Sequence, residues 1–131
     1  MKIVKKTKLF TLRVYPELGI VSHQMNGFVE GADFQDMMLT GVAAYEEHGC
    51  TKYLSDDSMN PMMNQEDLKW GREVWEPKIL KAGWKFWALV VPEKIFAKMA
   101  MRGVMQRYED MGVSVKVFKE YDEALDWLEK Q

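Results

Sequence analysis

Three glycines, Gly49, Gly83 and Gly112, punctuate this 131-residue chain at intervals of about thirty residues. Each closes a segment of helical periodicity and opens one rich in strand formers: His48-Gly49-Cys50-Thr51-Lys52-Tyr53, Ala82-Gly83-Trp84-Lys85-Phe86 and Met111-Gly112-Val113-Ser114-Val115. Glycine can take the left-handed conformation that ends a helix, because it has no Cβ to clash. A helix, a strand and two short connections need about thirty residues, so the spacing predicts one helix-to-strand unit used three times over.

Ahead of these units, Phe10, Leu12 and Val14 alternate with Thr11 and Arg13, which predicts a strand from Lys8 to Tyr15 with one buried face. Pro16-Glu17-Leu18-Gly19 supplies turn chemistry and Ile20 to Met25 resumes as a strand, making an antiparallel hairpin. Asp33 is the expected cap of a helix whose stripe is Phe34, Met37, Met38, Val42 and Tyr45. A third strand follows from Thr51 to about Asp56. Asn64 then caps a second helix, with Asp67 at its third position and Pro77 kinking it from inside. Trp84 to Val91 is apolar on both faces, as in a strand covered on both sides. Pro92 opens a third helix that runs to about Met111, Val113 to Phe118 alternates again, and Tyr121, Ala124, Leu125 and Leu128 mark a closing amphipathic helix. The expected class is therefore α/β, in the order ββαβαβαβα. Residues 1–131 form one domain with a mixed five-stranded sheet, its first strand antiparallel and the rest parallel.

Charge and cysteine content narrow the function. A formal net charge of −2 gives no reason to expect nucleic acid, whose phosphates reward a basic face. The cluster Lys2, Lys5, Lys6 and Lys8 reads as the solvated edge of an amino-terminal strand, where lysines discourage aggregation. The single cysteine, Cys50, cannot form an internal disulfide, and no apolar run is long enough for a signal sequence or a membrane span. The expected location is the cytoplasm.

The run Trp70-Gly71-Arg72-Glu73-Val74-Trp75-Glu76-Pro77, with Lys81-Ala82-Gly83, Ala88-Leu89-Val90-Val91-Pro92, Phe96-Ala97-Lys98-Met99 and the closing Asp122-Glu123-Ala124-Leu125-Asp126-Trp127-Leu128, resembles the SpoIIAA-like proteins. That group is related to the STAS domain of sulfate transporters and anti-sigma-factor antagonists, and is also described as resembling SEC14-type lipid carriers. The resemblance implies a sheet with helices mostly against one face. STAS antagonists carry an Asp-Ser-Ser-Gly-like turn before the second helix, with a serine that is phosphorylated. The matching stretch here is Asn60-Pro61-Met62-Met63-Asn64-Gln65, which has no hydroxyl, so a phosphate switch of that design does not carry over. Ser58 is the hydroxyl nearest that position.

No catalytic set is legible. Ser55-Asp56-Asp57-Ser58 lies at the carboxyl end of the third predicted strand, where open α/β sheets place ligand contacts. An Asp56/Asp57 metal enzyme would need carboxylates from another strand end, and Gln24-Met25-Asn26 offers none. Glu46, Glu47, His48 and Cys50 mix metal-binding chemistries, but neighbours on a helix point apart. His23 has no serine or cysteine at motif spacing, and the nine glycines form no phosphate-binding signature. Trp84, Trp87 and Trp127 are expected in the core, whereas Trp70 and Trp75 cannot both face it.

Methionine is the compositional oddity, with eleven in the chain, among them Met59, Met62 and Met63 in a loop and Met99, Met101, Met105 and Met111 towards the third helix. Its flexible thioether suits a surface that meets apolar partners of different shapes. The third helix either breaks near Met101 or exposes a second apolar face. The leading expectation is a non-catalytic binding module that meets a protein partner through Ser58, Met59, Asn60, Met62, Met63 and Asn64, with Trp70, Met99 and Met101 adding apolar area. It needs no cofactor and no metal. The alternatives are a lidded pocket for an acyl chain or other small apolar ligand, with weak membrane contact, and the Asp56/Asp57 enzyme. A homodimer stays open.

Overall fold

The computed structural model describes residues 1–60, 63–100 and 104–131. Among them six strands form one sheet: β1 (Lys2–Lys6), β2 (Phe10–Tyr15), β3 (Ile20–Met25), β4 (Lys52–Asp56), β5 (Phe86–Val90) and β6 (Ser114–Phe118). They lie side by side in chain order. The pairs β1–β2 and β2–β3 are antiparallel, and β3 to β6 run parallel. One strand more is present than the hydrophobic pattern predicts. The lysine-rich start pairs along β2 as β1, exposed at every position, so nothing in it alternates for a periodicity argument to detect.

A sheet whose parallel strands follow in order must send every right-handed crossover over the same face. That face carries α1 (Gly31–Glu47), then α2 (Gln65–Trp70), a π-helical turn (Gly71–Trp75) and α3 (Glu76–Lys81), then α4 (Glu93–Ala100) and α5 (Val104–Asp110). The last helix, α6 (Tyr121–Glu129), packs on the opposite face over Ile20, Leu54, Ala88 and Phe118. Helices are thus mostly on one side. Met101 lies outside the described residues, with α4 ending just before it and α5 beginning at Val104.

Local chemistry explains the junctions. Gly49 and Gly83 end their helices at φ of 59° and 100°, the left-handed region expected of them. Asn64 caps α2, its Oδ1 accepting from the Asp67 amide at 2.7 Å. Asp33 does not cap α1, which starts two residues earlier at Gly31 and leaves Asp33 in its first turn. The kink before Pro77 takes the form of the π turn, in which the Glu76 amide bonds back to the Gly71 carbonyl five residues earlier. Pro77 has no amide hydrogen to restore the α pattern there.

Candidate functional site

Side chains on the helical face of the sheet line up across the strands by register. Leu12, His23, Ser55 and Leu89 form one lateral row, and Val14, Val21, Tyr53, Trp87 and Val115 the row beside it. His23 and Ser55 are the polar members of the first row, and the Tyr53 hydroxyl is a polar group of the second. All three residues are buried.

His23 is the centre of a small network. Its Nε2 lies 2.8 Å from Oδ1 of Asp57 and its Nδ1 2.9 Å from the Tyr53 hydroxyl. A carboxylate only accepts, so Nε2 carries the proton, and a neutral ring then accepts from Tyr53 at Nδ1. Burial, reinforced by the negative charge of Asp57, pushes the Tyr53 phenol well above its usual range. Tyr53 therefore keeps its proton. The Ser55 hydroxyl accepts from Trp87 Nε1 at 2.9 Å, and neither nitrogen of His23 is turned on it. This arrangement fixes orientation; it does not present an activated nucleophile.

Above these rows the helices do not close down fully. A cavity of about 440 Å³ remains between the sheet and the helices, within the roughly 300–1,000 Å³ span of small-molecule sites. The sheet gives it His23, Met25, Ser55, Trp87 and Leu89; α1 gives Phe34 and Met38. The second helix and its π turn contribute Leu68, Arg72 and Trp75. Ile95, Met105 and Tyr108 complete the far wall. Most of this lining is apolar.

The π turn shapes the wall. An extra residue per turn lets Trp75 pack inward, edge-on to Tyr53 and Trp84 at ring distances of 5.2 and 5.3 Å. At the junction with α3, Glu76 reaches across to α5: Arg107 Nη2 donates to it at 2.9 Å and the Tyr108 hydroxyl at 2.9 Å. That clasp ties α5 over the cavity. Burial and the Glu76 charge push the Tyr108 phenol up to about 12, and the bond to Glu76 holds the Arg107 guanidinium above its usual value.

Each lining carboxylate has a partner in the chain. Asp57 takes His23, Glu76 takes Arg107 and Tyr108, and Asp67 accepts the Gly31 amide, tying the start of α2 to the start of α1. Two buried polar atoms on lining residues are different. Asn60 Oδ1 and Trp75 Nε1 have no hydrogen-bond partner among the described residues. The Asn60 amide nitrogen, by contrast, points at the sulfurs of Met25 and Met63, at 3.2 and 3.3 Å.

The residues singled out from the sequence fall in several places. Asn60 and Met63 line the cavity, the first buried and the second half-buried. Met59 is 62% exposed. Ser58 closes a turn on Asp56, donating its hydroxyl at 2.6 Å, and Asn64 is an exposed cap. Trp70 is half-buried against Phe34, with 6.0 Å between rings. Met99 belongs to α4, and Met62 and Met101 lie outside the described residues. Asp56 and Asp57 do not converge: Asp56 bonds Gln24 and Ser58 while Asp57 bonds His23 from the opposite face. Among the described residues no three His, Cys, Asp or Glu side chains come together as metal ligands, and no helix is long and apolar enough to cross a membrane.

His23, Tyr53 and Trp75 were not legible as site residues in advance. Their signal was phase, since His23 shares the inward face of its strand with Val21 and Met25, and Tyr53 shares its own with Ser55.

Residues 20–129, from the first residue of β3 to the last of α6, match the family model described as SpoIIAA-like. No curated protein and no solved structure matched the chain.

Proposed function

We propose, from the premise that this chain belongs to the SpoIIAA-like family and is a STAS-type module, that it holds one small apolar molecule in the cavity between its sheet and its helices and performs no chemistry on it. The observation behind this is the cavity itself, about 440 Å³ and lined by Met25, Phe34, Met38, Leu68, Trp75 and Leu89. An apolar molecule that fits against this lining gains dispersion contacts with it. Filling the cavity with an alkyl chain contributes about 0.8 kcal/mol for each methylene removed from water. The absence of chemistry rests on the geometry of His23, whose two nitrogens are both occupied, and on the generally non-catalytic character of SpoIIAA-like STAS domains.

Native mass spectrometry of gently purified protein tests the proposal. The expected result is an added mass that organic extraction removes. A clean polypeptide mass before extraction, together with no uptake of a medium-chain alkyl compound afterwards, contradicts it.

A second reading rests on Met59, a large apolar side chain exposed next in sequence to the lining residue Asn60, which suits contact with a protein partner. The two readings separate by mutation. Under the cavity reading Met63→Ser weakens retention of the added mass and Met59→Ser does not; under the partner reading Met59→Ser abolishes an interaction and leaves the mass unchanged.

A further inference from the structure

Charge is distributed unevenly along this chain, and the first strand holds the basic end of it. Residues 1–16 contain five of the 18 basic side chains and none of the 20 acidic ones, which leaves the rest with 13 basic against 20 acidic. Four of the five are Lys2, Lys5, Lys6 and Lys8, and of these only Lys5 has an ion pair among the described residues, with Asp36 of α1 at 2.7 Å. β1 is the outermost strand on its side of the sheet. Pairing with β2 sets Lys2 and Lys5 beside Val14 and Leu12 on the helical face, and Ile3 and Lys6 beside Arg13 and Thr11 on the other. Lysines at a sheet edge guard against aggregation. That role does not account for the aliphatic pair held between Lys2 and Lys5, Ile3 at 50% and Val4 at 36% exposure.

We infer that the β1 edge docks on the surface of an anionic lipid bilayer, its lysines among the charged headgroups and Ile3 and Val4 in the apolar layer beneath them. This goes beyond the cavity reading and does not rest on it. The composition of the edge selects lipid over other anions. A protein partner would have to strip water from the ammonium groups, and lysine is depleted from protein interfaces. A headgroup layer leaves the ammonium groups hydrated while their stems lie along apolar surface. Nucleic acid is gripped by arginine forks and stacked on aromatic rings, and β1 has neither. The rest of the molecule sets the approach. Exposed Asp122, Glu123, Asp126 and Glu129 lie on α6, which packs across β4, β5 and β6, so acidic charge gathers away from β1 and the field turns that strand towards an anionic plane.

The test measures sedimentation of the full chain with vesicles of phosphatidylcholine alone and of phosphatidylcholine mixed equally with phosphatidylserine. Binding to the mixed vesicles and not to the neutral ones is expected, and it should fall as salt rises. Lys2→Gln, Lys6→Gln and Lys8→Gln together should weaken it about a hundredfold, near fivefold for each charge lost, whereas arginine at the same three positions should preserve it. Ile3→Ser with Val4→Ser should weaken it about tenfold and leave any binding to heparin, a soluble polyanion, unchanged. Equal binding to the two kinds of vesicle, or binding to neither, overturns the inference. Loss in the glutamine variant with none in the serine variant overturns it in favour of a soluble polyanion or an acidic protein. Backbone hydrogen exchange on the native chain decides the matter even if the variants do not fold. Mixed vesicles should slow exchange at residues 2–6 and leave α6 unchanged, and slowing confined to other elements contradicts the docking edge. A ligand in the cavity is compatible with either outcome, so the two readings fail separately.

Discussion

Gly41 and Cys50 show how single residues set the geometry around the cavity. A Cβ placed on Gly41 would stand 2.9 Å from the Tyr53 hydroxyl and 3.5 Å from Leu12 Cδ2. The bare backbone at this position leaves room for the Tyr53 hydroxyl beneath α1, where it reaches His23. Alanine normally favours a helix interior over glycine by about 1 kcal/mol. Here the clash should reverse the sign, so that Gly41→Ala lowers stability by about 1–3 kcal/mol in urea denaturation. The loss should shrink in a Tyr53→Phe background, where the obstructing oxygen is gone; a loss of the same size in both backgrounds would show that Tyr53 is not what the methyl meets. Cys50 is buried, and that burial pushes its thiol from 9.0 to about 11. In the unfolded chain the proton leaves near the ordinary value, so the thiol's contribution to stability is complete below about pH 9 and is lost as pH rises towards 11. Urea midpoints of the native chain and of Cys50→Ala should therefore converge or cross as pH rises through that window, and parallel curves would contradict the assignment.

Among the elements, the π turn does most to make a site. Its sequence signal was Pro77, which forbids an α-helical amide bond and so marks where the pattern must change, but proline does not say which way the turn will slip. Gly71 sits at the start of that turn in right-handed helical geometry, φ −57° and ψ −45°, with nothing within 4 Å of where an alanine methyl would stand. Gly71→Ala should therefore raise stability by about 0.5–1 kcal/mol, chiefly by restricting the unfolded chain. Thermal denaturation measures this, and destabilisation would mean that the turn needs glycine's freedom. The hairpin, the three helix-to-strand junctions and the Asn64 cap were readable in advance because turn and cap chemistry is local. β1 was not, since its ladder depends on β2 and its own side chains all face solvent. Nor was the start of α1 readable at Asp33, because the carboxylate of Asp67, far along the chain, engages the Gly31 amide where a local cap was expected.

For the molecule as a whole, strand order follows chain order, which loads five of the six α-helices of the described residues onto one face and leaves α6 alone to cover the other. The crowded face houses the cavity, and the other face depends on one helix packed across β4, β5 and β6. Leu128 is fully buried there with Ala124 and Phe118, and the Tyr121 hydroxyl bonds Tyr15 and Ser22 at 2.8 Å each. Leu128→Ala should cost about 2–5 kcal/mol by leaving a hole that neighbouring helices cannot fill. Chemical denaturation reads that cost directly, and a loss below about 1 kcal/mol would show that the face collapses around the gap. The parallel sheet followed from periodicity and the handedness of crossovers, and the one-sided layering was implied by the family resemblance. The cavity did not, because a void is a property of how helices seat on a sheet, and no run of residues encodes it. Met63 and Asn60 were named for their position at a strand end, and the structure puts them on the cavity wall; His23, Tyr53 and Trp75 come from separate stretches that only the strand register brings together.

The central claim, that the cavity is where a ligand sits, is tested most directly by intermolecular nuclear Overhauser contacts between bound decanol and isotope-labelled methionine methyl groups. Met25, Met38, Met63 and Met105 line the cavity, whereas Met59 stands in solvent. The account expects contacts from the alkyl chain to the first four and none to Met59. Contacts confined to Met59, or a bound chain that touches none of the four, would contradict it.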